Sequence, residues 1–173
     1  MGSGKNTIAS VLAQTLGYEF IDIDKEAETK SRQTIAEIFH TRGEEHFRAL
    51  EHDILQTVSK RTGCVISLGG GTIINEQNLH LIKSSGLLVY LHASVEQIFQ
   101  RVRLTTDRPL LKSPDGSQLD NEDLFSRIRV LLDARKPFYE QADLTIMTDD
   151  EGVGAAVAEI VKYIRAQVER GNG

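Results

Sequence analysis

Residues 64–71 read CVISLGGG, a short apolar run closed by three glycines. Polar residues do not alternate through CVISL, as they would in a strand with one face in water. A continuous apolar run fits a strand covered on both faces, the environment of a parallel sheet. The flanking sequence agrees. Upstream, residues 5–16 place Ile8, Val11, Leu12 and Leu16 at i, i+3, i+4 and i+8, with Gly17 as a stop, so they read as a helix. YEFIDID at 18–24 reads as a strand. Thr34 and Glu37 form a capping box that opens TIAEIFHTRG, which Gly43 can end. A second helix runs to about Lys60, with Phe47, Leu50, Ile54 and Val58 on one stripe.

Downstream, a short helix at 76–84 leads to the apolar strand LLVYL at 87–91. Ser94 with Gln97 caps the next helix, and residues 104–121, with two prolines and many polar side chains, read as a mobile loop. Asn121 is expected to cap a long helix, LTIMT at 144–148 is a last strand, and 153–170 is a closing helix. Strands alternating with helices predict one α/β domain over residues 1–173 with a mostly parallel sheet. In such sheets ligands bind beyond the carboxyl ends of the strands, so the chemistry is expected in the segments that follow them.

Composition narrows the function. The chain has 173 residues, 40% of them hydrophobic and 26% charged, and a formal net charge of -5. That balance leaves no broad basic face for nucleic acid or a membrane, so an anionic ligand must be held by a local arginine cluster. The single cysteine, Cys64, excludes an internal disulfide and sits in an apolar run as a packed thiol. No stretch approaches the roughly 20 apolar residues of a membrane span, and the N-terminus lacks a signal-peptide core. A cytoplasmic protein is expected.

Five features can carry chemistry. MGSGKNT at 1–7 matches the end of a phosphate-loop pattern, G-x-x-x-x-G-K-[ST], at Gly4 and Lys5. Gly2, Ser3 and Gly4 can turn backbone N–H groups toward an anion at a helix N-terminus, with Lys5 adding charge; a plain helix start is the other reading. Asn6 stands where the pattern has a hydroxyl. Thr7 cannot replace it, because the next helical residue points about 100° away. In Asp22-Ile23-Asp24, period-2 alternation puts both carboxylates on one face of a strand end. One can organise Mg2+ and its waters while the other accepts protons, or both can face solvent. His40, His46, His52, His80 and His92 are read as surface residues.

Arg48 lies beside the apolar stripe of its helix with Glu51 at i+3, and Arg135 follows Ile128 and Leu131 at +7 and +4, facing inward. Two inward arginines can grip one carboxylate, although a structural salt bridge explains either alone. Gly69, Gly70 and Gly71 point to close approach of main chain to a ligand, or to a tight turn. Arg108-Pro109 reads as a lid arginine or a solvated one.

In order and spacing the set resembles shikimate kinase, a small P-loop kinase family of aromatic amino-acid biosynthesis. The matching residues are GSGK at 2–5, FIDID at 20–24, IAEIF at 35–39, GEEHFRALE at 43–51, SLGGGT at 67–72, RPLL at 108–111 and ARKPFYEQAD at 134–143. The resemblance implies a P-loop NTPase-like three-layer α/β/α fold with a parallel sheet in the order 2-3-1-4-5. It implies transfer of the ATP γ-phosphate to the 3-hydroxyl of shikimate, with Mg2+, by a monomer that uses no nucleic acid or membrane. Carried over by position, Gly2, Ser3, Gly4, Lys5, Asn6 and Thr7 wrap the nucleotide phosphates, and Asp22 with Asn6 serves the metal. Asp24 binds the shikimate hydroxyls and accepts the proton. Arg48 and Arg135 hold the carboxylate, Glu51 orients the arginines, and Gly69, Gly70 and Gly71 line the ring. Arg101 lies against adenine, and Arg108 reaches the phosphates from a lid at 104–121. Residues 25–63 form the substrate-binding helical region.

Related readings are a gluconate or nucleoside monophosphate kinase, and a catalytically impaired relative that binds ligand. Three departures bear on the choice. Asn6 replaces the family's Ser or Thr, and residues 148–152 (TDDEG) are acidic where the family often carries a basic residue. Met1 also falls inside the motif, so the chain is expected to be an N-terminally shortened form without the first, central strand. Strands 3 and 4 are then expected to stand two strand spacings apart, roughly 10 Å.

Overall fold

The computed structural model describes residues 2–103, 109–111, 117–149 and 152–171. Its elements follow the predicted alternation: α1 (Lys5–Leu16), β1 (Glu19–Asp22), α2 (Ile23–Ser31), α3 (Ile35–Val58), β2 (Cys64–Ser67), α4 (Glu76–Ser85), β3 (Val89–His92), α5 (Val95–Val102), α6 (Asn121–Tyr139), β4 (Leu144–Met147) and α7 (Val153–Gly171). Short 3-10 turns lie at Thr72–Ile74 and Pro109–Leu111.

β1 pairs in parallel with β2, from Glu19 opposite Cys64 to Asp22 opposite Ser67. β3 pairs in parallel with β4, from Val89 opposite Leu144 to His92 opposite Met147. These pairs form two separate two-stranded sheets, and β2 and β3 are not bonded to each other. A cavity of about 540 Å3 spans the gap, with Val65, Ile66, Tyr90 and Leu91 from the strands and Ile8 and Leu12 from α1 on its wall. The pairs match strands 2-3 and 4-5 of the expected order.

β2 and β3 are covered on both faces, as CVISL predicts, whereas β4 leaves Thr145 and Met147 exposed on one face. Val65, Val89, Leu91 and Ile146 pack with Ile8 and Leu12 of α1 and with Val157, Ile160 and Val161 of α7. On the opposite face Ile21, Ile66 and Tyr90 pack with Phe47, Ile54 and Leu55 of α3 and Ile82 of α4. A fully buried aliphatic side chain of this kind contributes roughly 1.5–3 kcal/mol. A third cluster joins Ala93, Ile98 and Val102 to Leu124 and Ile128 of α6.

The caps set where the chain turns. The Thr34–Glu37 capping box is formed, and Gly43 (φ 81°) kinks α3 where the sequence predicts two helices. α6 begins one residue earlier than predicted: Asp120, not Asn121, is its cap, accepting from the Asp123 N–H. Asp120 has the extended backbone of a cap (φ -65°, ψ 176°), and Asn121 is already the first helical residue. His52 and His92 are half-buried rather than surface residues, while His40, His46 and His80 are exposed. Cys64 is half-buried with Sγ 3.7 Å from the Arg61 carbonyl, and burial pushes its thiol above the ordinary value.

Candidate active site

The carboxyl ends of β1 and β2 meet the N-terminus of α1. Gly4 occupies the left-handed region (φ 82°), which turns the chain into α1 with no side-chain cap and no acidic residue in the first turn. The first N–H groups of α1 are thus free of competing protein anions, as an anion site requires. Lys5 reaches across that end. Its Nζ lies 3.0 Å from Asn6 Oδ1, 3.3 Å from Ser67 Oγ and 3.6 Å from Asp24 Oδ2.

The Asp22-Ile23-Asp24 segment differs from the strand end predicted for it. β1 stops at Asp22, which caps α2 by accepting from the Asp24 N–H at 3.0 Å, and Ile23 is wholly buried in the core. Asp24 therefore lies in a helical first turn. Its carboxylate still reaches the site, because the turn swings it toward Lys5 and Gly69. A strong Asx cap overrides the period-2 pattern here.

Asn6 is a hub. Its Nδ2 donates to Asp22 Oδ2 at 2.6 Å, and its Oδ1 accepts from Ser67 Oγ at 2.6 Å as well as from Lys5. Asp22 presents hard carboxylate oxygens suited to Mg2+, each with one hydrogen bond made and lone pairs left for the waters of a hydrated ion. Asn6 does not fit as a direct ligand in this arrangement, since its oxygen is taken twice and its nitrogen faces Asp22. Among the described residues, no group of three or more His, Cys, Asp or Glu side chains could hold a metal.

The glycine turn forms the opposite wall. A Cβ at Gly69 would stand 2.8 Å from Glu51 Oε1 and 3.3 Å from Asp24 Oδ1, and one at Gly71 would stand 2.7 Å from Arg48 Nη2. These glycines are small because protein side chains press against them, which is more specific than the approach of a ligand. Arg48 Nη1 donates to Glu51 Oε2 at 2.8 Å, while its Nη2 and Nε bond Glu44 Oε1 at 2.9 and 3.2 Å. Burial works against the guanidinium charge, but Glu51 and then Glu44 outweigh it and hold its pKa above the ordinary value. The exposed Glu44 carboxylate thereby occupies one edge of Arg48.

Arg135 is 6% exposed, and among the described residues no carboxylate lies within ion-pair distance of it. It sits beside Tyr139, whose hydroxyl donates to the Gly70 carbonyl at 2.7 Å, so it borders the same turn. Arg101 lies on the other side of the helix N-terminus, donating to the Gly2 carbonyl at 3.1 Å and the Thr148 carbonyl at 3.0 Å. In the acidic segment after β4, Asp149 accepts from the Ser94 N–H, a structural tie between that segment and the start of α5. Arg108 lies outside the described residues, as does most of the predicted lid at 104–121. Thr7 is exposed on α1, and Ser3 is buried.

Sequence reasoning missed Ser67, Thr72, Asn78 and Tyr139. Ser67, the one hydroxyl inside CVISL, and Thr72, directly after three glycines, were the available signals.

Parallel strand pairs, a glycine-rich helix N-terminus and its lysine, set beside acidic and arginine side chains, define a P-loop NTPase-like α/β kinase. The family model described as shikimate kinase matches residues 1–165. A shikimate kinase of Chlorobaculum tepidum is 44% identical over 169 residues, covering 98% of this chain and 88% of that protein. A shikimate kinase of Acinetobacter baumannii, solved in complex with shikimate, aligns with a TM-score of 0.87 at 34% identity, over 96% of this chain and 89% of that one. The shikimate kinase of Bacteroides thetaiotaomicron aligns at 0.84 and 29% identity, over 95% and 94%. The chain belongs to the shikimate kinase family, whose members are ATP-dependent phosphotransferases.

Proposed function

We propose that this chain transfers the γ-phosphoryl group of ATP to the 3-hydroxyl of shikimate. The observation that carries the acceptor is Arg135, a buried cation beside the glycine turn with no carboxylate partner among the described residues. A buried charge left unpaired is costly, so an incoming carboxylate is the natural partner. Arg135 and Arg48 together hold that carboxylate through planar forks.

The N–H groups after Gly4 and the Lys5 ammonium hold the β- and γ-phosphates. Asp22 would hold the Mg2+ of the nucleotide through the ion's waters, and the ion would supply charge neutralisation at the phosphates. As the acceptor oxygen bonds to phosphorus and the bond to ADP breaks, the hydroxyl proton passes to Asp24. Asp24, 3.6 Å from Lys5, keeps donor and acceptor ends of the reaction in register. Arg108 adds positive charge to the transferring group, as the family resemblance implies.

The test is ATP-dependent phosphorylation of shikimate, gluconate and nucleoside monophosphates, with an Asn6→Ser variant in parallel. Turnover on shikimate alone is the expected result. Shikimate binding without turnover, restored by Asn6→Ser, selects instead an impaired relative in which the Asn6 bonds block the metal's place. Turnover on gluconate or a nucleotide sinks the acceptor assignment.

A further inference from the structure

Behind Arg48 runs a chain of buried polar contacts that the phosphoryl-transfer chemistry does not use. Glu51 is fully buried and spends Oε2 on Arg48. Its Oε1 accepts the hydroxyl of Thr72, which is also fully buried. Thr72 closes the glycine turn as well, its N–H donating to the Gly69 carbonyl at 3.1 Å. The Thr72 carbonyl in turn accepts from Asn78 Nδ2 at 2.9 Å. A carbonyl can only accept, so that contact fixes which way the buried Asn78 amide faces. Its Oδ1 then points to His52, 2.5 Å away, and His52 Nδ1 must carry the proton. His52 Nε2 is left to accept from Gln56 Nε2 at 3.0 Å.

Every donor in this chain therefore has one acceptor, and its direction is set from the outside inward. A carboxylate buried beside an arginine has two rotational choices unless both oxygens are engaged. Arg48 fixes one and Thr72 fixes the other. We infer that Thr72, held by Asn78, is a positioning residue for acceptor binding: through Glu51 it sets the Arg48 guanidinium in the plane that meets the acceptor carboxylate. The inference rests on the proposed acceptor site for its kinetic consequence, but not for its structural one. It also gives Gly69 a purpose. A side chain there would stand 2.8 Å from Glu51 Oε1 and 3.1 Å from Thr72 Oγ1, inside the contact that does the positioning.

The experiment compares Thr72→Val, which keeps shape and removes the donor, with Thr72→Ser, which keeps the donor. Two readouts are taken: steady-state kinetics with shikimate and ATP, and the NMR resonance of Arg48 Nε–H in the ligand-free protein. In T72V the KM for shikimate should rise about 5- to 20-fold, while kcat and the KM for ATP stay within about 2-fold. T72S should return all three to within about 2-fold of the starting protein. The Arg48 resonance should shift in T72V and return in T72S. An Arg48 shift in a protein whose parent does not use shikimate supports the positioning role and overturns only the acceptor assignment. An unmoved Arg48 resonance, an unchanged shikimate KM, or equal losses for both substrates overturns the positioning role. If T72V and Asn78→Asp both fail to fold while T72S folds, the contact serves folding rather than the site, and the inference falls.

Discussion

The β1–β2 half and the β3–β4 half end in different chemistry. Beyond β1 and β2 the polar groups are side chains that bond one another: Asp22, Asn6 and Ser67 on one side, Arg48, Glu51 and Thr72 on the other. Beyond β3 and β4 they bond backbone: Arg101 takes the Gly2 and Thr148 carbonyls, and Asp149 takes the Ser94 N–H. Side chains fixed by side chains can present a patterned set of charges to one acceptor. Side chains fixed by backbone mainly hold segments in place, here the approach to α1 and the segment after β4. The first half selects and the second half positions.

The largest effect should come from breaking the selecting half. Arg135→Leu should raise the KM for shikimate about 100-fold or more, since truncating a charge partner at a buried site costs roughly 2–5 kcal/mol. The same change should leave the melting temperature of the ligand-free protein unchanged or higher, because it removes a buried cation that has no carboxylate partner among the described residues. A large loss of stability would mean that Arg135 serves the fold. Gly71→Ala sharpens the point sterically. Gly71 has φ -102°, so no backbone strain arises, and the new Cβ would press on the Arg48 guanidinium 2.7 Å away. Because the end of an arginine can move, stability should hold while the KM for shikimate rises about 10-fold. Circular-dichroism melts with steady-state kinetics check both.

In the positioning half the effects should be smaller and fall on the other substrate. Arg101→Ala removes one exposed and one half-buried tie, each worth about 0.5–1.5 kcal/mol, and should raise the KM for ATP about 5-fold, with that for shikimate unmoved. An equal change in both would erase the distinction between the halves. The smallest effect concerns Tyr90, on the wall of the cavity between β2 and β3. Tyr90 stacks on Tyr139 with centroids 4.6 Å apart, and burial pushes its hydroxyl up to about 12. The native state therefore keeps a proton that the unfolded chain releases near pH 10. Its stabilising contribution is complete below that pH and is lost as pH rises toward 12. Tyr90→Phe should flatten the alkaline fall in denaturation midpoint over that range.

Much of this was legible in the residues. CVISL and LLVYL announced buried strands, and α1 followed from its apolar period and the Gly17 stop, although Val11 of that stripe is exposed. Arg48 with Glu51 followed from helical spacing, and Arg135 from its place among Ile128 and Leu131. Period reasoning failed at Asp24, where a two-residue Asx cap outcompetes a strand pattern extending from YEFI. It also failed at His52 and Asn78. They lie 26 residues apart and meet only because α3 and α4 pack on the same face of the strands. A contact of that kind leaves no spacing to read. Around the triple glycine, side chains distant in sequence also press: a Cβ at Gly69 would meet Glu51 and Thr72, and one at Gly71 would meet Arg48.

The central claim is that a patterned pair of cations selects a carboxylated acceptor. It is tested most directly by comparing kcat/KM for shikimate with that for its neutral carboxamide, in the parent protein and in Arg135→Leu. The parent should favour shikimate by about 100-fold or more, and Arg135→Leu should shrink that preference below about 10-fold. Equal use of both acceptors by the parent, or a preference that survives the loss of Arg135, would contradict the account.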